Sequence, residues 1–129
     1  SLVECHGTGT SLGDPIEVGA QEKIYGKERA DHTPIVLAAG KSCIGHLEGA
    51  AGIAGLTKLV KMMQHKQAPP NLHLKKMNPN IDLSNFATAI PSAVMEWAAP
   101  GSHYAGISSF GFSGTNSHVN TGASALVEE

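Results

Sequence analysis

With 129 residues, the chain is the size of one small domain. Hydrophobic residues at 41% exclude a disordered chain, and a net charge of −2 with nine Lys and Arg scattered along it excludes an electrostatic nucleic-acid or membrane footprint. Fifteen glycines, and 16% charged residues against a usual ~25%, leave a surface poor in charge for a free-standing domain.

The first residues, Ser1 to His6, show no initiator Met and no charged segment leading into an apolar core, so they read as a strand entered from upstream in a longer chain. Leu2 to Cys5 predicts a short buried strand, and His6 to Gly13 a loop whose glycines allow positive φ and close approach to a ligand. A helix follows from Pro15 to Tyr25, with Asp14 as N-cap, Glu17 in the capping-box position and Gly26 as the residue past its end. After a polar linker, the continuous apolar run Pro34 to Ala39 predicts a strand buried on both faces. Gly40 to His46 forms a second loop. It opens a helix from Leu47 to about His65, small and apolar nearly all round, which predicts burial of its N-terminal half; Pro69 and Pro70 end it. Asn71 to Pro91 reads as an irregular excursion and Ala93 to Trp97 as a weak strand. Tyr104 to Phe110 and the stretch from Ser117 onward predict a hairpin around the turn Gly111 to Asn116.

Two loops carrying histidine, each after a buried strand and each opening a helix, lie at one end of the sheet if the strands run parallel, where α/β folds place ligands. This gathers His6, Lys41, His46 and the turn near Phe112 around one pocket. Neutral imidazoles there donate hydrogen bonds to a developing oxyanion, with Lys41 acting through a carboxylate such as Glu48. His32, His65, His73, His103 and His118 read as ordinary satisfied polar residues.

Competing chemistries are weaker. Cys5, His6, Cys43 and His46 are residue types that zinc accepts, but adjacent strand residues point to opposite faces, so Cys5 and His6 rarely share an ion. Cys43 and His46 as a nucleophile–base pair lack assured contact across a loop-to-helix junction. Gly7, Gly9 and Gly13 miss the dinucleotide fingerprint, and no phosphate loop occurs. Two cysteines make no disulfide framework, which points to a reducing compartment, and no apolar run approaches the ~18–20 residues of a membrane span.

The ordered motifs Val3-Glu4-Cys5-His6-Gly7-Thr8-Gly9-Thr10, Gly13-Asp14-Pro15-Ile16-Glu17, Lys41-Ser42-Cys43-Ile44-Gly45-His46 and Ser109-Phe110-Gly111-Phe112-Ser113-Gly114-Thr115-Asn116 resemble the C-terminal half of a β-ketoacyl synthase, most closely the ketosynthase domains of polyketide synthases. The resemblance implies an α/β fold, the C-terminal half of a thiolase-like layered α/β/α/β/α architecture, with residues 1–129 forming a partial domain. It implies decarboxylative Claisen condensation of an acyl-cysteine with a malonyl-type extender, in polyketide or fatty-acid synthesis. His6 and His46 then bind the extender thioester carbonyl, and Lys41 organises the site beside Glu48. The Phe112 N–H contributes to a second oxyanion hole. The Gly111 to Gly114 loop is a gating turn, Thr8 and Thr10 contact the phosphopantetheine arm, and Glu48, Gly111, Gly114 and Asn116 count with them as substrate-binding residues.

The partners implied are an acyl carrier protein, the N-terminal half of the ketosynthase and a second copy in a homodimer. No intrinsic cofactor, metal, nucleic acid or membrane span is implied, and the setting is cytoplasmic, or plastid if a transit peptide lies upstream. Three departures stand out. Cys43 replaces the usual Asn, polar Asn120-Thr121-Gly122 puts the end of the last strand in doubt, and the nucleophilic cysteine belongs to the absent half. The chain alone is therefore expected to be inactive, and a non-catalytic remnant that binds a carrier protein is the alternative.

Overall fold

The computed structural model describes residues 1–26, 33–97 and 103–123. The polar linker and His32 lie outside the described residues. Buried runs become strands: β1 (Leu2–Glu4) and β2 (Ile35–Ala38) are buried at every position, as side chains covered on both faces of a parallel sheet must be. Two-residue strands β3 (Gln67–Ala68), β4 (Thr88–Ala89) and β5 (Met95–Glu96) are too short to show periodicity, and long β6 (His103–Phe110) and β7 (Asn116–Ala123) complete the set. The main sheet has the order β4-β2-β1-β6-β7, parallel from β4 through β6 and antiparallel at the β6–β7 hairpin. β7 runs on through Asn120, Thr121 and Gly122, paired with Gly106, Ala105 and Tyr104, so those polar residues do not end it. β3 and β5 form a separate antiparallel pair, narrower than the strand predicted over Ala93 to Trp97.

Helices cover both faces. Leu2, Val36, Ala38 and Ile107 pack with Leu59 and Met62 of α3 (Ala51–His65), while Val3, Ile35 and Leu37 pack with Val18 of α1 (Gly13–Tyr25) and with Phe86. Two predicted boundaries change. α1 starts at Gly13, where the Thr10 hydroxyl accepts the Gly13 N–H at 3.0 Å; Asp14 lies inside the first turn, and Gly26 is right-handed at φ −76°. The segment read as one helix from Leu47 is a 3₁₀ turn at Glu48–Ala50 followed by α3, and the loop before it holds a short helix α2 (Lys41–Ile44). α3 ends at His65, as expected, and is capped by Lys66 in the left-handed region (φ 53°), ahead of the prolines.

The burial predicted for the N-terminal half of that helix is also corrected. Its buried residues are Leu59 and Met62, in the C-terminal half, whereas Leu47 and Ile53 are exposed. The N-terminal half is covered on one side only, by β6. Gly55 makes that approach close, since a Cβ there would lie 2.7 Å from Ile107 Cδ1. No helix among the described residues is long and apolar enough to cross a membrane.

Candidate active site

Because β1, β2 and β6 are parallel neighbours, their C-terminal ends deliver His6, Lys41 and Phe110 to one edge of the sheet. The chain leaves β1 through a tight turn at Gly7, whose φ is +49° and whose missing Cβ would stand 2.7 Å from Ala39 Cβ. Any side chain there meets strain and collision together. The turn is held by Glu17. This residue occupies the capping-box spacing, but its carboxylate instead accepts the His6 N–H at 2.7 Å and the Gly7 N–H at 2.9 Å. Burial raises the Glu17 pKa, and the two N–H donors oppose that rise. Asp14 assists from the same helix by accepting the Gly9 N–H at 3.0 Å.

His6 and His46 stand with ring centroids 5.6 Å apart in an edge-to-face arrangement. His6 Nδ1 faces the Phe110 N–H at 3.3 Å and Lys41 Nζ at 3.5 Å, and its ring packs against that of Phe110 at 5.3 Å. Two donors at Nδ1 make it the acceptor, so the ring proton lies on Nε2. The same tautomer is set in His46, whose Nδ1 accepts the Glu48 N–H at 2.8 Å. Desolvation first, then the Lys41 charge and His46, hold the His6 pKa below its ordinary 6.5. A neutral imidazole with Nε2–H outward is a hydrogen-bond donor for an oxyanion.

Lys41 stands beside His6, where burial lowers its pKa against the opposing charges of Glu4 and Glu17. Glu48 is not the carboxylate that acts on it: Glu48 serves through its backbone, at φ +49°, and its side chain is exposed. Glu4 is buried and paired with Lys58 at 2.6 Å, and also accepts the Gly40 N–H, which fixes the start of α2.

A cleft of about 700 Å³ is lined by Thr8, Gly9, Asp14, Lys41, Asn71 and Asn78 among others, and a smaller pocket of about 250 Å³ by Glu4, Lys41, Ile44 and Ser108 among others. Neither lining includes His6 or His46. Lys41 links the two regions, since it lines both pockets and reaches His6. Thr8 is exposed at the cleft, while the Thr10 hydroxyl is engaged by the Gly13 N–H and lies 3.4 Å from Thr8 Oγ1.

In the β6–β7 turn, the Gly111 N–H donates to the Thr115 carbonyl and the Gly114 N–H to the Gly111 carbonyl, with Gly114 at φ +98°. Phe112 projects fully into solvent and Asn116 pairs with Phe110. Phe110, not Phe112, meets His6. The sequence reading missed both Phe110 and Glu17. Phe110 closes the predicted strand Tyr104 to Phe110 and so stands at its end beside the site, which was a signal for it, whereas Glu17 already had a local explanation.

The cysteines face elsewhere. Cys5 Sγ lies 3.5 Å from Gln21 Nε2, and burial pushes its pKa far up; Cys43 Sγ is exposed, 3.8 Å from the Pro70 carbonyl. His46 Nδ1 is taken by the Glu48 N–H, and Cys43 Sγ lies against Ser42 Oγ and the Pro70 carbonyl. Among the described residues, no trio of His, Cys, Asp or Glu is grouped to hold a metal.

The β-ketoacyl synthase, C-terminal domain family matches residues 1–75, from β1 through Lys41, His46 and α3. The chain belongs to this family. It is 47% identical over 118 residues to a phenolphthiocerol/phthiocerol polyketide synthase of Mycobacterium tuberculosis, covering 91% of this chain and 6% of that protein. It is 43% identical to polyketide synthase PksL of Bacillus subtilis, covering all of this chain and 3% of the relative. Among solved structures, an oxazolomycin ketosynthase domain from Streptomyces albus superposes with a TM-score of 0.87 at 36% identity, over 100% of this chain and 22% of that one. A ketosynthase from module 6 of the bacillaene synthase of Bacillus subtilis gives a TM-score of 0.87 at 34% identity, over 93% and 22%. The fold is therefore the α/β arrangement of the C-terminal part of a thiolase-like ketosynthase, and the chain spans about a fifth of those solved chains.

Proposed function

We propose that this chain forms the C-terminal part of a ketosynthase domain and supplies the decarboxylating side of its active site. The observation that carries the reading is the paired tautomer: two adjacent imidazoles, each with Nδ1 occupied as an acceptor and Nε2–H left to donate. In this reading His6 and His46 bind the carbonyl oxygen of a malonyl-type thioester. As the C–C bond to the carboxylate breaks, carbon dioxide leaves, and the electron pair passes into an enolate whose oxygen the two N–H groups stabilise. The enolate carbon then attacks the carbonyl of an acyl group on a cysteine, and the thiolate departs.

Lys41 holds positive charge beside His6 and disfavours its protonation, which keeps a donor that has no acidic proton to lose to the enolate. The cleft lined by Thr8 offers room for the phosphopantetheine arm of an acyl carrier protein, and the turn with Gly111, Phe112, Gly114 and Asn116 serves the acyl-cysteine carbonyl. Neither Cys5 nor Cys43 suits the nucleophile, so condensation requires an N-terminal half to supply it, and this chain by itself is inactive. A homodimer and a cytoplasmic setting accompany the reading; the two relatives named above are bacterial and lend no support to a plastid. Retention of His6, His46 and Lys41 in one constellation favours catalysis over a carrier-binding remnant.

The test is decarboxylation of a malonyl thioester by the ketosynthase that carries this segment. Replacing either histidine by Ala should cut the rate about 10²- to 10³-fold, as loss of one oxyanion donor does. A rate unchanged in both variants overturns the reading.

A further inference from the structure

The excursion between β3 and β4 carries no periodicity, yet it completes the sheet where β2 gives way to the Lys41 loop. β4 pairs with β2 only at Ile35 and Val36, so Leu37 to Ala39 continue without a strand on that side. Asn71 fills the place. Its Nδ2 donates to the Leu37 carbonyl at 3.1 Å and its Oδ1 accepts the Ala39 N–H at 2.7 Å. In a parallel ladder, a residue's N–H and C=O bond to positions on either side of its partner, so this carboxamide stands in for a peptide unit opposite Ala38.

The clamp is itself anchored, because the Asn71 N–H donates to the Pro91 carbonyl at 2.8 Å. It extends one residue further: the Leu72 N–H donates to Ser42 Oγ at 3.1 Å, and the Ser42 hydroxyl donates to the Ala39 carbonyl at 2.7 Å. From the β1 side, the Cys5 N–H takes the Ala38 carbonyl and Glu4 takes the Gly40 N–H. The backbone is thus held on both sides up to the residue before Lys41.

Resting on the reading that Lys41 and His46 serve decarboxylation, we propose that Asn71 is a positioning residue for that reaction. It sets the point and direction at which the chain leaves β2, and so the place of Lys41 beside His6. Asn71 lines the cleft, but both ends of its amide are occupied by backbone, so it acts through the loop and not on the reacting atoms.

The experiment uses the ketosynthase that carries this segment. Asn71→Leu keeps the size and removes both bonds; Asn71→Asp keeps the acceptor for Ala39 and sets an oxygen against the Leu37 carbonyl. Each should lower kcat for decarboxylation about ten-fold, the scale of a small displacement of a catalytic group, with KM for the malonyl thioester unchanged. Hydrogen exchange at the Ala39 amide should quicken in Asn71→Leu, which loses its acceptor, while unfolding stays cooperative in both. Unchanged kcat in both variants, or unchanged exchange at Ala39 in Asn71→Leu, overturns the proposal. Where Asn71→Leu fails to fold, Ser42→Ala, which loses the bonds to Leu72 and the Ala39 carbonyl, carries the same test with a smaller fall. Failure of the underlying reading has its own signature: wild type and His46→Ala would decarboxylate alike, while Ala39 exchange would still respond to Asn71.

Discussion

His6 and His46 stand side by side, yet different parts of the molecule hold them. His6 is part-buried, its backbone gripped by Glu17 from α1 and its ring by Phe110 from β6 and Lys41 from α2. His46 is exposed, and its ring is set by an N–H two residues along the same turn. One imidazole depends on three elements meeting; the other depends on its own loop. Distant substitutions should therefore reach His6 and spare His46.

The strongest way to break that contrast is Glu17→Ala. It strips a buried carboxylate from two N–H donors, and urea unfolding should show a loss of about 3 kcal/mol, in the range for hydrogen bonds to a charged group. A loss below about 0.5 kcal/mol would mean that the turn after β1 holds itself. Glu48→Gly should do far less. The N–H to His46 survives and the positive φ suits Gly, so stability should stay within about 1 kcal/mol of the parent and decarboxylation within a few-fold. A large fall in rate would restore a role for the Glu48 carboxylate.

A finer probe is the titration of His6 by NMR. Its midpoint should lie below 6.5 and move upward in Lys41→Met, since a positive neighbour is removed. With the folded value depressed, the unfolded chain takes up the proton first as pH falls. His6 therefore adds stability that is complete above 6.5 and is lost as pH falls through the folded midpoint. A midpoint indifferent to Lys41 would dissolve the contact between them. The smallest effect is chemical: a thiol reagent should label exposed Cys43 in the folded protein and leave Cys5, whose pKa burial has raised, until denaturant is added. Labelling of both at one rate would count against the packed β1–α1 side of the His6 turn.

What could be read from the sequence follows how local each signal is. β1, β2 and the hairpin were legible because apolar runs and alternation are written in consecutive residues, and the parallel order then put His6, Lys41 and His46 at one end. Glu17 was visible but misassigned, because spacing from Asp14 explained it locally while its real partners lie ten and eleven residues back. Asn71 was invisible for a similar reason. A side chain that imitates a strand leaves no periodic trace, and an Asn beside two prolines reads as a turn. The Lys41–Glu48 pairing failed because the positive φ at Glu48 turns its side chain out to solvent. The buried front expected for α3 failed because apolar composition shows that a surface wants cover, not that this chain provides it.

The close approach at Gly55 reaches into the order of assembly. Glycine inside a helix costs up to about 1 kcal/mol relative to Ala, and Gly52 and Gly55 both fall in the opening turns of α3, so that end has little tendency to wind alone. Packing against β6 supplies the support that end lacks on its own. β6 is also the strand whose last residue gives its N–H to His6, so the same strand supports the opening of α3 and the ring of His6. A folding intermediate that lacks β6 would leave the ring of His6 unseated, while the turn that sets His46 depends on its own loop.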